Sequence, residues 1–153
     1  MADAKNTESA ELPLSLQRED LKKLEISYGF YSSKMGAGVQ EIHLFGDGRV
    51  RLKRTRSYEA EPEYREGSLE PQALLRLLEL MDYQGLMGLE DEYPSEEDPT
   101  VRRILTLSSP RVSKRVIVNE PVVPEFERIT GALLLTASLA TPEALMNRFF
   151  KNL

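Results

Sequence analysis

The chain contains no cysteine. That one absence excludes disulfides, thiolate metal sites, cysteine nucleophiles and a lipidated N-terminal cysteine together. Long apolar runs are missing too. The most apolar stretch, Ala132 to Ala140, is broken by Thr136 and Ser138 and is far short of the ~20 residues of a spanning helix. Residues 1–20 hold no apolar core of the length a secretory signal needs, so a cytoplasmic protein without membrane association is expected. No segment repeats at a fixed period. Histidine occurs once, at His43.

What is present describes an ordinary globular domain. The 153 residues are 41% hydrophobic and 29% charged, enough apolar material for one real core and too much for a disordered chain. A formal charge of −5 argues against general nucleic-acid binding as a property of the whole molecule, though it leaves room for a local basic patch.

The most informative stretch runs from Val39 to Arg54. A two-residue Asp47-Gly48 turn would mix apolar and charged groups on both faces of a hairpin. A three-residue Gly46-Asp47-Gly48 loop instead pairs Leu44 with Val50, Ile42 with Leu52, His43 with Arg51 and Glu41 with Lys53. The second register separates an apolar face from a charged one, because a one-residue slip moves every side chain to the other face. It puts Gly48 at the left-handed position that closes such loops. Gly46 is expected to take ordinary dihedrals and to tolerate alanine better than Gly48 tolerates valine.

Before the hairpin, Leu24, Ile26, Tyr28 and Phe30 alternate with Glu25, Ser27, Gly29 and Tyr31, a half-buried strand. Residues 1–20, with Pro13 interrupting Leu12, Leu14 and Leu16, read as a flexible tail. Residues 32–38 read as a connector with no helix to bind phosphate. The charged, Pro62-containing stretch from Glu59 to Gly67 reads as a loop or frayed edge. A helix starts near Pro71, with Leu74, Leu77, Leu78 and Met81 on one face and Gly85 as its stop. A second hairpin, Val101–Leu107 and Val112–Val118, turns around Ser108-Ser109-Pro110-Arg111. Pairing Leu107 with Val112 sets Ile104 beside Arg115 and Arg102 beside Ile117. Arg103 and Lys114 fall on the apolar face and are expected at its rim, with their stems buried. A second helix starts at Pro124 and carries Phe126, Ile129, Leu133 and Ala137. Thr141-Pro142 opens a short last helix with Leu145, Met146, Phe149 and Phe150.

The expected fold class is therefore α+β: an antiparallel sheet of about five strands in the order βββ-α-ββ-α-α, with helices on one face. The divisions are a tail over 1–20, a domain over 21–140, and a short helix over 141–153 packed on it.

This order of elements resembles a bacterial family of small α+β domains of unknown function, often found in exported proteins and lipoproteins. The likeness rests on the aromatic early strand, Phe45-Gly46-Asp47-Gly48-Arg49-Val50, and the helix entry Ser68-Leu69-Glu70-Pro71. Tyr83, Leu86, Leu89, Tyr93 and Asp98 complete it, over roughly residues 24 to 138. The resemblance implies a fold and brings no catalytic residues with it.

Three clusters of polar residues invite a functional reading. His43 could act as a general base beside Glu41, but no nucleophile with a partner motif accompanies it and Arg51 would disfavour its imidazolium. A surface strand histidine is the plainer reading. Glu90, Asp91, Glu92, Glu96, Glu97 and Asp98 lack the ligand spacing and central glycine of a calcium loop, so they read as a solvated acidic loop. Arg49, Arg51 and Lys53 share one strand face, with Arg54 and Arg56 beyond. On the second hairpin Arg102, Ile104, Arg115 and Ile117 point the same way. Arginine mixed with Ile104, Ile117, Tyr31 and Phe45 suits a binding face.

The expected function is a non-enzymatic protein–protein interaction module, a regulatory subunit or an inhibitor or immunity-type protein. It would dock through the open sheet face by Arg49, Arg51, Lys53, Arg102, Ile104, Arg115 and Ile117. No catalytic residue, cofactor or metal is assigned. The partner is a protein that the chain does not name, and a homo-oligomer is compatible with the composition. The alternative is nucleic-acid binding by the basic strand around Arg49 to Arg56.

Overall fold

The computed structural model describes residues 12–32, 39–55, 61–95, 101–119 and 121–141. Seven strands form one sheet: β1 (Glu25–Ser32), β2 (Val39–Phe45), β3 (Arg49–Thr55), β4 (Glu63–Ser68), β5 (Glu92–Tyr93), β6 (Val101–Ser108) and β7 (Ser113–Val118). Their spatial order is β4-β3-β2-β1-β6-β7-β5. All neighbours are antiparallel except β5, which runs parallel to β7. The sheet is thus mixed, with seven strands where about five were expected. Both additions are polar. β4 reads Glu-Tyr-Arg-Glu-Gly-Ser and β5 is a two-residue bridge in the acidic loop, so neither shows the apolar alternation that marks a half-buried strand.

Two helices lie on one face, α1 (Pro71–Tyr83) and α2 (Pro124–Ala140). Each has proline in its first turn, where the missing N–H needs no partner. Gly85, with φ +77°, ends the α1 region. Leu74, Leu77, Leu78 and Met81 of α1 and Phe126, Ile129, Leu133 and Ala137 of α2 are buried at the expected spacing. They join one core with Ile26, Tyr28, Ile42, Leu44, Val50, Leu52, Leu105, Leu107, Val116 and Val118 of the sheet. Tyr28 and Phe126 meet edge to face at 6.2 Å, a favoured aromatic geometry.

The first hairpin has the expected register: Leu44 faces Val50, Ile42 faces Leu52, His43 faces Arg51 and Glu41 faces Lys53. Gly48 takes φ +95°. Gly46, however, is constrained more tightly than turn geometry suggested. A Cβ there would lie 1.8 Å from the Leu21 carbonyl oxygen, so alanine at this position must displace backbone even though its dihedrals are ordinary.

The second hairpin is shifted. Ser108 pairs with Ser113, Ile104 with Ile117 and Thr106 with Arg115, so Ile104 does not stand beside Arg115, nor Arg102 beside Ile117. Val112 is used to close the turn. Its carbonyl accepts from the Ser109 N–H at 2.9 Å, and its own N–H donates to Ser109 Oγ at 3.0 Å. The shift is by two residues, so each side chain keeps its face. Arg103 and Lys114 sit at the rim as expected: Arg103 forms a bidentate pair with Glu127 at 2.7 and 2.6 Å, and Lys114 donates to the Leu89 carbonyl and to Asp91.

The described part of the N-terminal stretch is no tail. Residues 12–23 form two 3-10 turns, Pro13–Ser15 and Arg18–Lys23. Leu14 and Leu16 enter the core, helped by left-handed backbone at Leu14 and Ser15. Asp20 is buried and pairs with Arg111 at 2.9 Å, tying this stretch to the second hairpin turn. Proline and charge hid two core leucines. Ser32, read as part of the connector, ends β1 instead; the rest of that connector (33–38), Arg56, Glu96 to Asp98 and the last helix over 142–153 lie outside the described residues.

Candidate functional face

Because β-strand side chains alternate, burying Ile26, Tyr28, Ile42, Leu44, Val50 and Leu52 under the helices forces their neighbours to the other side. The expected positions all arrive there. Arg49, Arg51 and Lys53 line β3, Arg102 and Ile104 lie on β6, and Arg115 and Ile117 lie on β7. They do not form one cluster. β2 and β1 stand between β3 and β6, a gap of about 14 Å at ~4.8 Å per strand step.

One cross-strand row runs through the whole face. Tyr64 faces Lys53, Lys53 faces Glu41, Glu41 faces Gly29, Gly29 faces Ile104, Ile104 faces Ile117 and Ile117 faces Glu92. Its middle is apolar. Ile104 and Ile117 are half-buried, and the ring of Tyr31 lies across Gly29, where a Cβ would come within 2.4 Å of the phenol oxygen. Burial pushes the Tyr31 phenol upward, and the nearby Glu41 charge adds to that. The ends of the row are polar or charged.

The gap between the two basic groups is filled by His43. Its Nδ1 lies 2.8 Å from Glu25 on β1, and its Nε2 lies 2.9 Å from Glu41 on its own strand. A neutral imidazole has one donor and one acceptor nitrogen; only the imidazolium donates from both. The Glu41 hydrogen bond foremost, against the cost of burial and with help from Glu25, holds His43 above its ordinary pKa. The same bond holds the Glu41 carboxyl below its ordinary range. The expectation that Arg51 would disfavour the imidazolium is therefore corrected. Arg51, across from His43 in the same recess, is engaged by β4, its guanidinium 4.3 Å over the Tyr64 ring and 3.9 Å from Glu66. His43 is a strand histidine on the open face, gripped by carboxylates from two strands.

Arg49 is engaged locally. It lies 2.8 Å from Asp47 and 4.5 Å over the Phe45 ring. Arg102 donates to Asn119 at 3.1 Å. Beside His43 is a recess of about 330 Å³, with Glu25, Glu41 and His43 on one wall and Arg51, Lys53 and Tyr64 on the other. A larger depression of about 550 Å³ lies over Thr106, Ser108, Arg115 and Ile117. Among the described residues no group of three or more His, Asp or Glu side chains is placed to hold a metal ion, and no helix is long and apolar enough to cross a membrane.

Sequence reasoning missed Tyr64 and Glu66, because β4 was not recognised, and Glu92 for the same reason on β5. The parity of strand residues was sufficient for the rest. No protein-family model matches the chain and no curated protein is detectably similar to it.

Proposed function

We propose that the protein is a non-enzymatic interaction module that docks a protein partner on the open face of its sheet. The observation that carries this reading is the central row: an apolar middle of Ile104, Ile117 and Tyr31 over Gly29, flanked by charge at Lys53 and Glu41 on one side and Glu92 on the other. An apolar centre inside a polar rim, with arginine and tyrosine enriched, is the anatomy of protein–protein interfaces. The shifted register of the second hairpin sharpens it, since Ile104 and Ile117 stand directly opposite each other. The cations are interleaved with carboxylates at Asp47, Glu41, Glu25 and Glu66, which suits a mixed protein surface better than a run of phosphates.

Affinity capture from the native organism, with nuclease-treated and untreated arms, tests the reading. Ile104→Ser should cut partner recovery severalfold, because it places a polar group in the apolar centre. Arg51→Glu with Arg115→Glu should cut it in a salt-dependent way. The same partner at the same yield from all variants would sink the proposal. A signal lost with nuclease would put nucleic acid in the partner's place.

A further inference from the structure

We infer that the recess beside His43 is an anion subsite that takes a carboxylate side chain of the docking partner on Arg51 and Lys53, and that it does so while His43 is protonated. This rests on the docking reading and names the partner's chemistry: an acidic segment.

Two cations in the recess are available to a ligand. Lys53 forms no salt bridge among the described residues. Arg51 is held from one side only. The guanidinium carbon lies 4.3 Å from the Tyr64 ring centroid, which anchors the group from one side and leaves N–H donors for an incoming carboxylate. Its ion pair with Glu66 is loose at 3.9 Å, and the Glu66 side chain is 74% exposed, so an incoming carboxylate can displace it.

The obstacle to an anion is the opposite wall, where Glu25 and Glu41 also face the recess. His43 removes it. With both ring nitrogens donating, each carboxylate has an oxygen committed at 2.8–2.9 Å and shares the positive charge between them. When His43 loses its proton, one nitrogen presents a lone pair to a carboxylate oxygen, and that contact turns repulsive. One glutamate is then released toward Arg51 and Lys53, where it competes with the ligand. The charged and titratable groups that face His43 are Glu25 on β1, Glu41 on β2, Arg51 and Lys53 on β3, Tyr64 and Glu66 on β4, and more distantly Tyr31 and Arg115. Arginine and lysine keep their charge through the window in which an imidazole titrates, so His43 is the group that changes.

The test uses the full chain with poly-L-glutamate as probe at fixed ionic strength, beside NMR titration of the His43 ring. Because His43 is the sole histidine, its resonance needs no assignment. The wild-type midpoint should lie above that of the unfolded chain, and Glu25→Gln and Glu41→Gln should each lower it. Probe affinity should fall about three- to tenfold from about pH 6 to about pH 9, the scale of one nearby charge in a high-dielectric setting. His43→Gln should bind weakly and equally at both pH values. Arg51→Ala with Lys53→Ala should lose about tenfold or more.

A midpoint at or below the unfolded value, an equal pH dependence in His43→Gln, or equal binding of poly-L-lysine would each overturn the inference. The two readings fail separately. Probe binding that behaves as expected while Ile104→Ser leaves native partner capture untouched keeps the subsite and removes the docking role. Loss of partner capture with pH-independent probe binding does the reverse.

Discussion

On the covered face of the sheet, Arg103 meets Glu127 through two hydrogen bonds of 2.7 and 2.6 Å and lies 5.0 Å over the Phe126 ring. On the open face, Arg51 meets Glu66 at 3.9 Å and stacks on an exposed tyrosine. Both are strand arginines, and the difference is what surrounds them. At the rim of the helical layer Arg103 keeps only 17% of its side chain exposed, and a charge so poorly solvated persists only with its partner fixed. On the open side water solvates the charge, geometry is loose, and side chains stay available to another molecule. Alternation thus gives one sheet a face that supplies stability and a face that supplies contacts. Substitutions on the two faces should differ accordingly.

The largest effect belongs to the covered face. Leu77→Ala should cost ~2–5 kcal/mol, because Leu77 is buried between α1 and the sheet and the space left cannot fully collapse. Urea melts measure it. A loss below ~1 kcal/mol would mean that the helical layer is loosely seated, and the contrast between the faces would dissolve.

The next effect lies where the N-terminal segment meets the first hairpin. Gly46→Ala should cost ~1–3 kcal/mol, as overpacking against a fixed neighbour does, since the new methyl would press on the Leu21 carbonyl. Gly48→Val should match or exceed it, combining a left-handed backbone with the Leu69 carbonyl 2.6 Å from a Cβ. If Gly46→Ala melts like wild type, the turn around Leu21 moves aside freely, and residues 12–23 are an accessory rather than part of the fold.

The two hairpins explain what could be read beforehand. In the first, two glycines fixed the loop length and clean alternation fixed the pairing, so every partner was legible. In the second, Val112 looked like a strand residue, and nothing in its type says that it will close a turn with Ser109. The faces survived that error because the slip was even. β4 and β5 were invisible because β4 is an edge strand of mostly exposed polar side chains and β5 is only two residues long, so neither carries apolar alternation. Leu14 and Leu16 were hidden by the chain reversal that buries them, which depends on left-handed residues no propensity favours. For the binding face, membership followed from parity. The Glu25–His43–Glu41 grip also needed the β1–β2 register, and Tyr31 lying on Gly29 depends on the direction a side chain leans along its strand.

The smallest stability effect belongs to the open face, where pH resolves it. His43 has a folded pKa above its ordinary value of 6.5, so the folded state binds its proton more tightly than the unfolded state does. Its contribution is complete below about pH 6.5 and disappears as pH rises through the folded value. Glu41 has a folded pKa below its ordinary value of 4.5. Its contribution is present above about pH 4.5 and disappears as pH falls through the lowered value. Between these limits both are intact, so the stability difference between wild type and His43→Gln should be greatest at about pH 5–6 and should shrink toward about pH 9. The His43 side chain is 23% exposed and that of Glu25 42%, which screens the interaction and holds the difference to about 1 kcal/mol or less. Urea melts of both proteins at the two pH values, under one ionic strength, read it. A difference that grows with pH would mean that the ring is held neutral by one carboxylate, and the contrast between a fixed covered face and a proton-dependent open face would fail at its centre.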